Sequence, residues 1–269
     1  MNIAAIVDMY ADPESRPESL PLRRLGGELE RCSVFEAGQQ LANSGEREER
    51  MAAMDILSAF CDDEPRERAA NTLIRTTLGD EWDAQTLCYA IEALARFRRS
   101  GDLDLVMARA AEPSSDVRST VAVILARYYQ LGVRQDEIAE CLLQLVADED
   151  SHVREMATFV LGRQTTHTTG PIIDALLVNV GDADGAVRCE AIAALAMRGY
   201  PGIVDSLVAM LTGPIDDSYD YDALVDAAVV SRDRTCLEAA VQLGARGARV
   251  FNLNAVEDAR REIDEMSRG

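Results

Sequence analysis

The sequence predicts an all-α fold, a right-handed α-solenoid of about six helical hairpins with atypical repeats capping its ends. The first observation behind this is a phrase that recurs at near-equal intervals: SSDVRSTVAVILA at 114–126, DSHVREMATFVLG at 150–162 and DGAVRCEAIAALA at 184–196. Its Val-Arg pairs, 117/118, 153/154 and 187/188, are 36 and 34 residues apart, the period of a stacked two-helix unit. The second is composition: 48% of residues are apolar but only 5% aromatic, with Ala, Leu and Val dominant, which suits close-packed helices better than a sheet sandwich. A repeat array grows by adding units, so the 269 residues read as a single domain: an N-terminal cap over 1–33, repeats over 34–230 and a C-terminal cap over 231–269.

Taken in order, VFEAGQQLAN (34–43) and GEREERMAAMDILSAF (45–60) read as a degenerate first pair, and ERAANTLIRTTLG (67–79) with EWDAQTLCYAIEALARF (81–97) as a second. In the three clear units a first helix ends in an acidic turn and the second begins just before the Val-Arg pair. Glu112, Asp148 and Asp182 fall five positions before the Val; Ser114, Asp150 and Asp184 fall three before it. Ser and Asp accept hydrogen bonds from the free N–H groups of a new helix, which places helix starts at these positions. Beyond them, Val153, Ala157, Val160 and Leu161, and likewise Val187, Ala191, Ala194 and Leu195, recur at helical spacing and mark a buried stripe. PGIVDSLVAML (201–211), YDALVDAAVV (221–230) and TCLEAAVQLGA (235–245) continue the pattern, and a charged segment over 256–266 closes it.

Leu145, Asp148, Asp150, Val153, Arg154, Ala157, Leu161 and Gly162 together resemble the HEAT-like repeat first recognised in phycobilin lyases. The neighbouring units match less fully, with Glu112 and Ser114 in place of the acids and Ala196 in place of the Gly. The resemblance implies a solenoid of HEAT-like hairpins. For activity it implies little, because such repeats serve adaptors, inhibitors and chaperones alike. Arg118, Arg154 and Arg188, with Asp150 and Asp184, read as a structural ladder linking successive repeats rather than as a ligand site.

The formal charge is −20, and it is unevenly spread: residues 135–230 hold 17 acids against 4 Arg, whereas 231–269 hold 7 of each. Such a field repels phosphate backbones and attracts cationic partners, so the partner expected is a cationic protein, with neither nucleic acid nor membrane. All 27 basic residues are Arg, which excludes Schiff-base or P-loop lysine chemistry. Six Cys (32, 61, 88, 141, 189, 236) lie far apart with no CxxC pair and read as buried thiols of a reducing compartment. His152 and His167 fall in no metal-binding motif and read as surface residues, so neither a metal nor a cofactor is expected. The first 17 residues carry Asp8 and Asp12 and lack a basic segment ahead of an apolar run, which predicts a cytoplasmic protein.

The strongest departure from the repeat is GPIDDSYDYDALVD (213–226), longer than the other acidic turns. It gathers Asp216, Asp217, Asp220 and Asp222 with Tyr219 and Tyr221, in a stretch without a basic residue between Arg198 and Arg232. Exposed Tyr beside carboxylates suits capture of a partner's Arg or Lys, so these six residues form the candidate partner-binding site. The alternatives there are a solvated connector and a Ca²⁺ loop, the latter at odds with EF-hand spacing. No catalytic constellation stands out. The combined expectation is a non-enzymatic binding protein, specifically a bacterial inhibitor of the immunity type that neutralises a toxin by covering its basic surface. An assembly scaffold is the alternative, and a bilin lyase or isomerase is implied by resemblance alone.

Overall fold

A computed structural model describes residues 28–79, 82–216, 219–248, 250 and 252–266; these form helices joined by turns, with no strand among them. The expected cap over 1–33 therefore lies mostly outside the described residues. The chain divides into two compact units, Met1–Ile138 and Ala139–Gly269.

The first unit contains α1 (Glu28–Leu41), α2 (Arg47–Ser58), α3 (Glu64–Gly79), α4 (Ala84–Arg96), α5 (Leu103–Met107) and α6 (Ser115–Tyr129). α5 is short because 3₁₀ turns flank it at Ser100–Asp102 and Ala108–Ala111. Glu112 then takes extended geometry ahead of Pro113, as the residue before a proline must. Helices pair in sequence, and the second helix of each pair stacks on the next: α2 on α4 and α4 on α6. Their shared faces bury Met51, Met54, Leu57, Ile91, Leu94, Val121 and Leu125 completely.

The helix α7 (Gln135–Leu145) begins in the first unit and ends in the second. The second unit continues with α8 (Ser151–Phe159), α9 (Gly170–Asn179), α10 (Gly185–Met197), α11 (Val204–Thr212), α12 (Tyr221–Ser231), α13 (Arg234–Ala245) and α14 (Leu253–Met266). Here α8, α10 and α12 stack as second helices while α11 packs on α13 and α13 on α14. The stripe read from the repeat phrase is wholly buried: Val153, Ala157, Val160, Leu161, Val187, Ala191, Ala194 and Leu195 are all at 0% exposure. The described residues hold fourteen α-helices, in keeping with about six hairpins, and the expected C-terminal cap is itself a helix pair, α13 with α14.

Two irregular helix ends are closed by arginines from later repeats. The helix α8 runs on into a π turn, Val160–Gln164, in which Gly162 lies so close to Ala194 of α10 that a β-carbon there would collide with its methyl group. The widened turn leaves carbonyls without helical partners, and Arg198 of the next repeat donates to those of Leu161 (2.7 Å), Gly162, Thr165 and His167. The same device recurs where Arg246 donates to the carbonyls of Leu211, Thr212 and Gly213 at the end of α11.

Candidate binding surface

Three second helices, α6, α8 and α10, carry four residues after the N-cap position an Arg that folds back on its own turn; Asp150 and Asp184 cap α8 and α10 through their side chains, whereas the Ser114 side chain makes no cap. Arg154 donates through Nη1 to the carbonyls of Asp148 (2.9 Å) and Glu149 (3.0 Å) in its own turn. Its Nε and Nη2 grip both oxygens of Asp182 in the next turn, at 2.8 and 2.9 Å. This fork holds the Asp182 carboxyl below its ordinary pKa and raises that of Arg154. Arg188 repeats the inner half, donating to the carbonyls of Asp182 and Ala183, and Arg118 does so with those of Glu112 and Pro113. The rung from Arg154 therefore ends on Asp182. Asp150 and Asp184, expected in the ladder, instead accept backbone N–H groups at the starts of α8 and α10. Their position three before the Val holds each carboxylate at its own helix end.

Sequence reading missed a rung. Arg50 on α2 donates to the carbonyls of Ser44 and Gly45, to Thr86 Oγ1 and to Asp83 Oδ2 (2.6 Å), and lies over the Trp82 ring at 4.5 Å. It stands two 34-residue periods before Arg118, a register that the phrase EERMA obscures because it lacks the Val.

The Tyr/Asp connector takes the place of the next rung. Arg188 Nη2 donates to the Tyr219 hydroxyl at 3.4 Å, and the Tyr219 ring lies against Gly185, where any β-carbon would strike it. Tyr221 is 6% exposed, and its hydroxyl accepts the Asp216 N–H at 2.9 Å while facing the Pro214 carbonyl at 3.5 Å. The two rings meet edge-on, centroids 5.9 Å apart. Two exposed tyrosines were expected; Tyr221 is buried instead, because it begins α12 and its ring belongs to the apolar stripe that continues through Leu224 and Val225.

Asp220 is likewise committed. Its side chain caps α12 through the Ala223 N–H and pairs with Arg163 at 2.7 Å. Arg163 sits on the π turn, which aims it across α10, and it also reaches Glu190 at 3.4 Å while its guanidinium lies 5.1 Å from the Phe159 ring. Glu190 is 6% exposed and its Oε2 has no hydrogen-bond partner among the described residues. Burial pushes its pKa up to about 7; Arg163 opposes this only partly, since its closer contact goes to Asp220, whose charge pushes the same way as burial. Beside it, burial also raises the Cys189 thiol, which donates to the Asp220 carbonyl at 3.6 Å. The connector without a cation in sequence is thus held by two arginines brought from earlier repeats. Glu190, set within the apolar run CEAIAALA, was the one sequence signal that a polar partner had to arrive there.

What remains outward-facing is narrower than the six residues singled out. Asp216 is exposed beside Pro214 and Ile215, Asp220 is exposed while paired with Arg163, Tyr219 and Asp222 are half-buried, and Asp217 lies outside the described residues. Asp174, Asp205, Glu140 and Glu149 add carboxylates elsewhere on the surface of the second unit. None of the six cysteines is in a disulfide; Cys141, Cys189 and Cys236 are buried as expected, whereas Cys32, Cys61 and Cys88 are half-buried. His152 is exposed, with Nδ1 3.2 Å from Glu155, and His167 is half-buried.

Comparison with known proteins bears on the fold. Residues 139–224 match the model of the HEAT repeat family. Among solved structures, the Escherichia coli protein YibA is similar over 100% of this chain and 93% of its own, with 18% identity and a TM-score of 0.66. An engineered protein (84% and 97% covered, 16% identity, TM-score 0.46) and human deoxyhypusine hydroxylase in complex with glycerol (98% and 95%, 17%, 0.33) are more distant. No curated protein matched.

Proposed function

Taking as premise that this chain is a HEAT-like repeat helical protein, we propose that it is a non-enzymatic interaction module whose acidic second unit engages a cationic protein. One observation carries this. The four arginines between residues 135 and 230, Arg154, Arg163, Arg188 and Arg198, all spend their guanidinium groups on internal carbonyls, carboxylates or a tyrosine. The acids of these repeats outnumber those guanidinium groups, 17 to 4, and the arginines are turned inward, so the field projected outward is negative beyond what the net charge alone conveys. Repeats of this kind offer extended surfaces, and a surface of one sign steers an oppositely charged protein into contact.

The form we favour is inhibition: a stoichiometric, cytoplasmic bacterial protein that masks the basic surface of a toxin. The division into two compact units supports an assembly scaffold as the second reading, with a partner for each unit. Capture of binding proteins on the immobilised chain at low and high salt tests both. The inhibitor reading expects one dominant basic protein, released by salt and weakened by combining Glu149→Gln, Asp174→Asn, Asp205→Asn and Asp216→Asn, none of which the fold uses as a helix cap. Two partners separable by unit would favour the scaffold, and capture indifferent to both salt and the fourfold change would refute the electrostatic basis of either.

A further inference from the structure

The first unit carries a feature of opposite sign. An open cleft of about 580 Å³ is lined by Asn71, Arg75, Arg98, Arg99, Ser100 and Asp102, among others. Two of its guanidinium groups are pinned. Asp102, only 1% exposed, accepts from Asn71 Nδ2 at 3.0 Å and from Arg75 Nη1, which also donates to the Gly101 carbonyl. Arg99 is held through Nη2 by Glu67. Among the described residues neither pairing uses the full fork: Arg75 commits Nη1 and Arg99 Nη2, which leaves Nε and one terminal nitrogen of each for other acceptors.

The third arginine has no carboxylate at all among the described residues. Arg98 holds φ of +53°, the left-handed region that a side chain enters at a cost of about 1 kcal/mol or more and that glycine usually fills after a helix. Two other arginines do the same, and each is paired with acids: Arg134 with Asp104 and Glu137, Arg232 with Glu262. Arg98 shares the backbone conformation without such a pair among the described residues, and it lines a cleft. Three arginines thus meet two carboxylates, those of Asp102 and Glu67, at this cleft, in a chain whose net charge is −20.

We propose that this cleft is an anion site that takes the phosphoryl group of a small molecule, with Arg75 and Arg99 as preset donors and Arg98 closing on the ligand. Planar guanidinium forks fit a phosphoryl oxygen pair, and two that are already fixed bind with little loss of freedom. The site lies apart in sequence from the acidic repeats and is independent of the protein-binding proposal.

Calorimetric titration with inorganic pyrophosphate and with phosphate, at constant ionic strength, tests it. Wild type and Arg234→Gln, an exposed change in the second unit, are expected to bind alike, whereas Arg98→Gln and Arg98→Gly bind about tenfold or more weakly, as loss of a charge-assisted contact implies. Arg98→Gly also serves as the folding control, because glycine relieves the left-handed strain and raises the melting temperature while removing the ligand contact. Absence of saturable binding by wild type, or equal binding by Arg98→Gly, would overturn the proposal. A phosphoserine peptide that bound more tightly than pyrophosphate would transfer the site to a modified protein and overturn the small-molecule assignment.

Discussion

Replacing Glu190 by Gln isolates a single buried charge and should change how stability depends on pH. The carboxyl is buried, one oxygen has no partner among the described residues, and burial pushes its pKa up to about 7 against an ordinary 4.5. A carboxyl whose pKa is raised by folding binds its proton more tightly in the folded state. Below about pH 4.5 it is protonated in both states and contributes no pH dependence. Between 4.5 and 7 the unfolded chain releases the proton first, so stability falls as pH rises, by about 1.4 kcal/mol per unit. Above 7 both states are ionised and the loss levels off at about 3 kcal/mol. Gln keeps the shape and removes the titration. The stability of Glu190→Gln minus that of wild type should therefore grow by about 3 kcal/mol from pH 4.5 to 7.5 and then stay flat, with other titrations cancelling in the difference. Urea unfolding followed by circular dichroism is the suitable assay, since Trp82, the one tryptophan, belongs to the first unit and Glu190 to the second. Parallel curves for the two proteins across this range would refute the reasoning, and would mean that Arg163 neutralises Glu190 fully despite its closer bond to Asp220.

Other expectations are simpler. Arg154→Ala should destabilise the second unit by about 2–4 kcal/mol, because Asp182 loses its bidentate partner and two turn carbonyls lose a donor; Arg154→Lys should recover little, since an ammonium cannot make the fork. Both are read from urea midpoints. Gly162→Ala should cost about 1–3 kcal/mol through collision with Ala194, and Ala194→Gly added to it should restore part of that loss; strict additivity of the two changes would argue that the close approach is not the cause. Finally, Cys141, Cys189 and Cys236, buried and with their thiol pKa raised by desolvation, should resist a thiol reagent at pH 8 until urea unfolds the chain; fast labelling of Cys189 in native buffer would contradict its placement under α12.

The all-α repeat class was legible from the Val-Arg phrase, because a 34–36-residue period with capped starts and a 3.6-residue apolar stripe has one economical reading. Helix starts at Asp150 and Asp184 followed from local chemistry, as did the burial of Val153 through Leu161, since both depend on residues a few turns apart at most. The acidic bias of residues 135–230 was equally plain in composition. What the chain needed its tertiary structure to decide were pairings between repeats. Arg163 meets Asp220 across 57 positions and Arg188 meets Tyr219 across 31, so the Tyr/Asp connector, without a cation along the chain, is tethered in space and Tyr221 is turned inward. The cleft of Arg75, Arg98 and Arg99 was equally hidden, because its guanidinium groups converge through the packing of α3 against the turn after α4. Periodicity reports which faces are buried; which charged groups end as neighbours depends on how far each helix is shifted and tilted against the next, and no local pattern encodes that.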